Sequence, residues 1–215
     1  MSKPKKSKRR YNSTRRQAQA RETRRQIIEA ARRSFVERGY AGATIEAIAQ
    51  EAGVAPETIF ATFGNKRTIL ANLVDVAVGG DDQPIRLLER SGPQAVLQEH
   101  DPGRQLHLFA KDIAGILERV APVFEIMRVA AKTEPDIAEL LKKLLEERLR
   151  NLEVVVQSLS AHSPLREGLD STQAAEIVWT ITSPEVFSLL TVDRGWSRER
   201  YIRWLSDTLT RLLLP

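Results

Sequence analysis

Apolar residues recur along this chain at intervals of three and four, the period of an amphipathic α-helix, over most of its length. Ile27, Ile28, Ala31 and Phe35 form one such stripe, on a helix that Gly39 is placed to end. Ile45, Ile48, Ala49 and Ala52 form a second over a short helix that starts near Thr44 and stops at Gly53. A third helix begins near Ala55, with Pro56 in the first turn, where a missing N–H costs nothing. It carries Ile59, Phe60 and Phe63 as far as Gly64-Asn65. Asn65 can cap a fourth, through Ile69, Leu70, Leu73, Val74 and Ala77, before Gly79-Gly80 and Asp81-Asp82-Gln83-Pro84 mark a turn or linker.

Further on, Ser91 with Gln94, Asp136 with Glu139 and Asp170 with Gln173 have capping-box spacing, and Asp101-Pro102 reads as a cap followed by proline at the first position. The helix behind Pro102 runs through Leu106, Phe109, Ile113 and Leu117 until Pro122 kinks or divides it. The longest pattern spans about 136–160, with Leu145, Leu149, Leu152, Val156 and Leu159 in steps of four and three. Two more helices follow over about 171–192, interrupted by Pro184, and 197–213. No window of alternating β-branched residues suggests a sheet, so the fold class is all-α.

Charge divides the chain. Residues 1–33 hold 13 Lys and Arg against 2 acidic groups, whereas the remaining residues hold 20 against 26. The first sixteen contain no acidic residue and almost nothing apolar, so about the first thirteen read as a disordered basic arm. Such asymmetry suggests a polyanion-binding head on a body that does not itself bind polyanions. Nucleic acid fits best, with an anionic membrane surface the alternative on charge alone. The longest uncharged stretch, Val154 to Leu165, falls short of the ~20 apolar residues of a membrane span. Nothing apolar follows the basic N-terminus as in a secretory signal. The chain has no cysteine, which removes disulfides, thiolate metal sites and cysteine nucleophiles and is compatible with the cytoplasm.

The strongest local feature is residues 44–63, TIEAIAQEAGVAPETIFATF: two short helices joined through Gly53, with the length and turn glycine of a helix-turn-helix. By spacing alone a generic helical corner fits equally well. The basic segment upstream favours DNA, because a groove helix and a cationic tail together form a nucleic-acid footprint.

The run from Ile27 through Leu70 resembles the N-terminal domain of the TetR family of bacterial transcriptional regulators. The matching residues are Ala30-Ala31, Phe35, Gly39-Tyr40, Thr44, Ile48-Ala49, Ala52-Gly53-Val54, Thr58, Phe60, Phe63 and Lys66. Residues 183–213 are similar to the C-terminal helix pair of one actinobacterial branch of that family. The resemblance implies an arm at 1–16, a DNA-binding domain at 17–78 and a helical ligand-binding and dimerisation domain at 84–215. It also implies phosphate contacts from Thr44, Thr58 and Lys66. Pro56, Glu57, Phe60, Ala61 and Thr62 fall on positions facing bases and sugars. Glu57 can accept from a cytosine amine, while Ala61 and the Thr62 methyl can touch thymine methyls; a solvated acid at a helix start is the plainer reading of Glu57. The family's usual Tyr-x-Tyr-Phe is Phe60-Ala61-Thr62-Phe63 here, and the usual Ser or Thr before Pro56 is Ala55. These departures remove hydrogen-bonding groups, a loss that Arg9 and Arg10 can offset by entering an adjacent minor groove; non-specific attraction is the other reading of the arm.

For the body, the resemblance implies a four-helix dimer interface from the last two helices. Trp179, Val186, Leu189 and Leu190 are its candidates on the first, and Tyr201, Leu205, Leu209 and Leu212 on the second. The same stripes can instead close the monomer core. A small-molecule effector is implied in the middle helices, with Leu106, Phe109, Ile113, Phe124, Met127 and Trp179 as apolar candidates and His107 and Arg128 as polar anchors. The partners expected are thus double-stranded DNA with a palindromic operator, a second copy of the chain and an effector, with no membrane, cofactor or metal.

Against an enzyme, His100, His107 and His162 show no Glu-x-x-His spacing, and there is no glycine-rich phosphate loop or serine elbow. Glu146 and Glu147 lie beside Arg148 and Arg150 on what reads as a solvated helix face. A regulator, usually a repressor in this family, stands against a non-specific, nucleoid-type binder driven by the arm.

Overall fold

The computed structural model describes residues 8–215, with side chains from Arg15 onward. The expected arm up to residue 7, and the side chains of Arg9 and Arg10, lie outside the described residues; residues 8–13, expected as part of a disordered arm, are the helical start of α1. Ten α-helices follow one another: α1 (Lys8–Gly42), α2 (Ile45–Ala52), α3 (Pro56–Phe63), α4 (Lys66–Gly79), α5 (Ser91–Gln98), α6 (Pro102–Ala130), α7 (Pro135–His162), α8 (Ser171–Ile181), α9 (Pro184–Ser188) and α10 (Arg198–Leu213). A 3-10 turn at Leu87–Glu89 precedes α5, and a π turn at Leu189–Asp193 follows α9. Among the described residues there is no strand, and no helix is long and apolar enough to cross a membrane. The chain forms two compact units, one running to Leu73 and the other from Val74 to Pro215.

In the first unit the termini behave as their residue types dictate. Thr44 caps α2, its hydroxyl accepting from the Ala47 N–H at 3.1 Å. Asn65 caps α4 by accepting from the Thr68 N–H at 2.9 Å. Gly39, at φ 68° and ψ 173°, breaks the helix where the sequence expects it to end, and a short helical turn at 40–42 follows across that kink. Gly53, at φ 68° and ψ 32°, closes α2 in the left-handed conformation, its N–H shared between the Ala49 and Gln50 carbonyls. The core is Ile27, Ala31, Phe35, Ile48, Ile59, Ile69 and Leu70, each essentially inaccessible to water.

The second unit is organised around α6, which packs against α5, α7, α9 and α10, while α8 packs on α7. Pro122 does not divide α6 into separate helices; Pro102–Ala130 is one helix, with the proline exposed. Asp170 and Gln173 form the full capping box expected of them. The other two do not form. Ser91 and Asp136 are already inside α5 and α7, because Arg90 and Glu134 take the flanking positions. Pro135, at the first position of α7, fixes that earlier start, and the Gln94 side chain donates to the Leu88 carbonyl at 2.6 Å instead.

At Gly53 any L side chain would be held in the left-handed region, which costs about 1 kcal/mol. Gly53→Ala should therefore lower the stability of the α2–α3 region by about that amount, read from the denaturation midpoint of the full chain.

Candidate nucleic-acid interface

The third helix is eight residues long, too short to hold itself together in water. Ile59 and Phe63 anchor it in the first unit's core, at 0% and 5% exposure. That anchoring decides which way the rest faces. Glu57, Phe60 and Ala61, spaced i, i+3, i+4, all lie exposed on one side. Phe60 is 51% exposed, a large apolar surface left in water, so it packs into no core. Pro56, Thr58 and Thr62 flank that face half-buried. The Thr62 hydroxyl donates to the Thr58 carbonyl at 2.7 Å, so its methyl is the part left to offer.

Neighbouring side chains fix the helix in place. Arg24 of α1 stacks its guanidinium 4.6 Å from the centre of the Phe63 ring and donates to the Asn72 side chain on α4. Arg33 pairs with Glu51 on α2. Lys66 sends its ammonium to the carbonyls of Tyr40 at 2.7 Å and Ala43 at 3.0 Å, and lies 4.3 Å from the Tyr40 ring centre. A cation thus sits on the carbonyl-rich end of α1, where the helix dipole favours it. Nothing in hydrophobic periodicity signals Arg24 or Asn72; the aromatic residue that the arginine covers is their only trace in the sequence.

Charge is distributed unevenly over this unit. No Lys or Arg lies on α3. On α1, Glu29 neutralises Arg32 at 2.7 Å, and the Arg32 guanidinium holds the Glu29 carboxyl below its usual range. Arg15, Arg16 and Arg21, nearer the start of α1, are exposed and make no ion pair among the described residues. Thr44 is exposed as well. Its oxygen is used as a cap, but its O–H hydrogen remains to donate to a phosphate.

In the second unit the sequence-derived candidates separate. Leu106 and Phe109 belong to the main apolar core, and Phe124 and Met127 are equally inaccessible. Ile113 and Trp179 are half-buried at that core's edge. His107 is exposed, on the rim of an open depression formed with Glu99, Asp101 and Arg104. Arg128 is ion-paired with Glu185 of α9. Of the dimer candidates, Tyr201, Leu205 and Leu209 are completely enclosed in the chain's own core, so no partner can cover them. Leu189 is instead 54% exposed, and Val186, Leu190 and Leu212 are half-buried. Val192, 74% exposed, joins that face although the sequence did not single it out. The reading of Arg148 as part of a solvated face is also overturned. Its guanidinium donates to the Trp179 carbonyl at 2.7 Å and the Thr182 hydroxyl at 2.8 Å, and burial pushes its pKa down to about 10.

Lys66→Met removes the donor that satisfies two α1-end carbonyls and should destabilise the chain by about 2 kcal/mol. Chemical denaturation followed by helix content checks this; an unchanged midpoint would make those two bonds incidental.

Residues 27–73 match the family model described as bacterial regulatory proteins, tetR family. The HTH-type transcriptional regulator TtgR of Pseudomonas putida is 47% identical over 57 residues, covering 26% of this chain and 27% of that protein. The chain therefore matches about a quarter of the length of that curated relative. Among solved structures, the regulator FadR from Bacillus subtilis in complex with stearoyl-CoA has a TM-score of 0.69 at 22% identity, covering 86% of this chain and 96% of that one. The TetR-family regulator PfmR from Thermus thermophilus has a TM-score of 0.65 at 22% identity, covering 88% and 99%. At these identities the two structures establish the shared fold. Residues 27–73 thus carry the tetR-family signature of bacterial regulatory proteins, and the chain shares the fold of these two structures.

Proposed function

We propose that the protein is a cytoplasmic, sequence-specific transcriptional repressor that binds a palindromic operator as a homodimer and is released by a small-molecule effector. The observation that carries this is the outward face of α3, where Glu57, Phe60 and Ala61 stand exposed on a helix whose other side is locked in a core. A helix held in that way can enter a major groove without losing its own support. In this reading residues 17–78 form the DNA-binding domain and 84–215 the effector and dimerisation domain.

The division of labour follows from charge. Base-edge contacts specify and phosphate contacts position, and α3 holds the first kind of group without the second. Positioning then falls to Thr44, Thr58, the exposed arginines of α1 and the basic arm, with Arg9 and Arg10 in the adjacent minor groove. Lys66, with two of its donors on carbonyls, contributes mainly by positioning α4 against α1.

For the dimer, the apolar face around Leu189 and Val192 is the natural place for a second copy, since both side chains are left in water by the single chain. Two copies related by a two-fold axis present two α3 helices to one side of a duplex, about one helical turn apart.

Selection of bound sequences from random duplex, followed by titration against non-specific competitor, tests the central reading. One palindromic consensus should emerge. Equal affinity for all competitors would favour an arm-driven, nucleoid-type binder. Phe60→Ala should weaken binding to the selected site about tenfold while changing stability by less than about 0.5 kcal/mol. Removing residues 1–13 should reduce the salt slope of binding by ~0.9 for each phosphate that the arm neutralises; an unchanged slope would retire the arm. Val192→Glu should shift the chain from dimer to monomer in sedimentation without unfolding it.

A further inference from the structure

Along α7, Leu141, Leu145, Arg148 and Leu152 are spaced four, three and four, so the guanidinium of Arg148 stands in the row that the leucines use to reach the core. Both hydrogens of its Nη2 are used, on the Trp179 carbonyl and the Thr182 hydroxyl. Its plane lies 5.2 Å from the centre of the Trp179 ring. No carboxylate forms a salt bridge with it among the described residues. Glu185, whose charge reaches Arg148, is already paired with Arg128, which reaches Arg148 too. Arg128 and Glu185 form a pair that is open to solvent, so the charge left largely buried without a carboxylate of its own is that of Arg148.

Hydrogen bonding shows the same deficit. Arg148 Nη1, Trp179 Nε1 and the Tyr201 hydroxyl are each buried without a partner. Tyr201 lies close enough for its ionisation to feel Arg148, and burial drives its phenol pKa well up, so it keeps its proton. The three atoms bring four donor hydrogens: two on Nη1, one on the indole and one on the phenol. Buried donors are almost always satisfied, so a group of them sharing one charge points to something that fills it.

The missing group is described by what would balance these atoms. It carries one negative charge, because the local excess is one. It accepts several hydrogen bonds and donates none. A carboxylate, with about four lone-pair positions on two coplanar oxygens, meets both conditions and matches the planar fork of a guanidinium. A doubly charged phosphate would over-compensate. The groups beside these donors are aromatic: the Trp179 ring next to the guanidinium, and Phe187 set edge-on to Tyr201 at 4.9 Å. The segment carrying Thr182, Glu185 and Phe187 is also where regular helix is interrupted, by the break before Pro184 and the π turn at Leu189–Asp193.

We propose that this cluster is the anchoring subsite for the carboxylate of a small, otherwise apolar monoanion, with Arg148 as counter-ion and the Trp179 indole and Tyr201 hydroxyl as orienting donors. The proposal rests on the effector reading above and specifies the chemical class of the effector. It also moves the polar anchor from Arg128, whose charge Glu185 already uses, to Arg148.

The test compares matched acids and amides on the full chain: benzoate against benzamide, and decanoate against decanamide. Thermal shift and intrinsic tryptophan fluorescence provide the two readouts, at constant ionic strength. In at least one pair the acid should bind saturably and about tenfold or more tighter than its amide. Arg148→Gln should abolish the preference. Should Arg148→Gln fail to fold, Tyr201→Phe, which removes one donor and keeps the ring, should weaken the acid several-fold with little effect on the amide. Equal binding of acid and amide, binding of neither, or a preference that survives both substitutions overturns the proposal and leaves trapped water as the partner of these donors. Affinity for the selected duplex, measured in the same samples, separates this result from the effector reading. An acid that binds at Arg148 without changing DNA affinity retires the effector reading and leaves the site. An amide that releases DNA as well as its acid does the reverse.

Discussion

An eight-residue helix gains too few hydrogen bonds to offset the entropy of ordering it, so α3 exists only because Ile59 and Phe63 are held in a core. Every property of the outer face depends on that anchoring. Rotating the helix by a single residue, about 100°, would bring Phe60 inward and turn Ile59 toward solvent. The register is therefore fixed by the same apolar contacts that stabilise the head. Arg24 over Phe63 and Lys66 at the end of α1 hold α3 between two neighbours instead of letting it fray into loop.

If α3 reads DNA as proposed, a helix with no cation of its own makes an unusual division of tasks. Its exposed surface can distinguish bases by fit and by the one acceptor, Glu57, yet it has little long-range attraction for a polyanion. The basic residues are concentrated at the start of the chain, with 13 of the 33 Lys and Arg in residues 1–33. In the proposed reading affinity and specificity reside in different segments, and they should respond separately to salt and to base sequence. An acid on the reading face is also repelled by phosphate, so Glu57 is tolerable only where its carboxylate is aimed at a base edge or left in solvent.

What could be read in the sequence was local chemistry. Gly53, Thr44, Asn65, Pro56 and the Asp170–Gln173 box act through atoms within four residues, and each does in the structure what its type and spacing imply. Ser91 and Asp136 had the same spacing and failed, because a nearby earlier residue took the flanking position. The all-helical fold followed from periodicity over long stretches, which averages out such single-residue competition. Long-range partners left little trace. Tyr201, Leu205 and Leu209 lie on an apolar stripe, and a stripe does not say whether its cover is the same chain or another; the structure assigns them to the core. The half-buried Val186, Leu190 and Leu212 and the exposed Leu189 and Val192 are the apolar side chains left open to a partner on these elements.

Arg148 shows the limit most clearly, because its position was legible and its identity concealed it. Among Glu146, Glu147 and Arg150 an arginine looks like one more surface charge, and those three are indeed exposed. Spacing against Leu141, Leu145 and Leu152 places it on the opposite side, with the core residues. When composition and periodicity disagree about one residue, periodicity decides where the side chain goes, because the backbone offers no other direction. Composition then sets the consequence: a guanidinium in that row must find acceptors or remain a costly charge. The Trp179 carbonyl and Thr182 hydroxyl supply only part of what it needs. A leucine at 148 would have completed the stripe without any of this demand. The proposed carboxylate would meet the rest of that demand, whereas the bonds to Trp179 and Thr182 alone are a structural use of the residue.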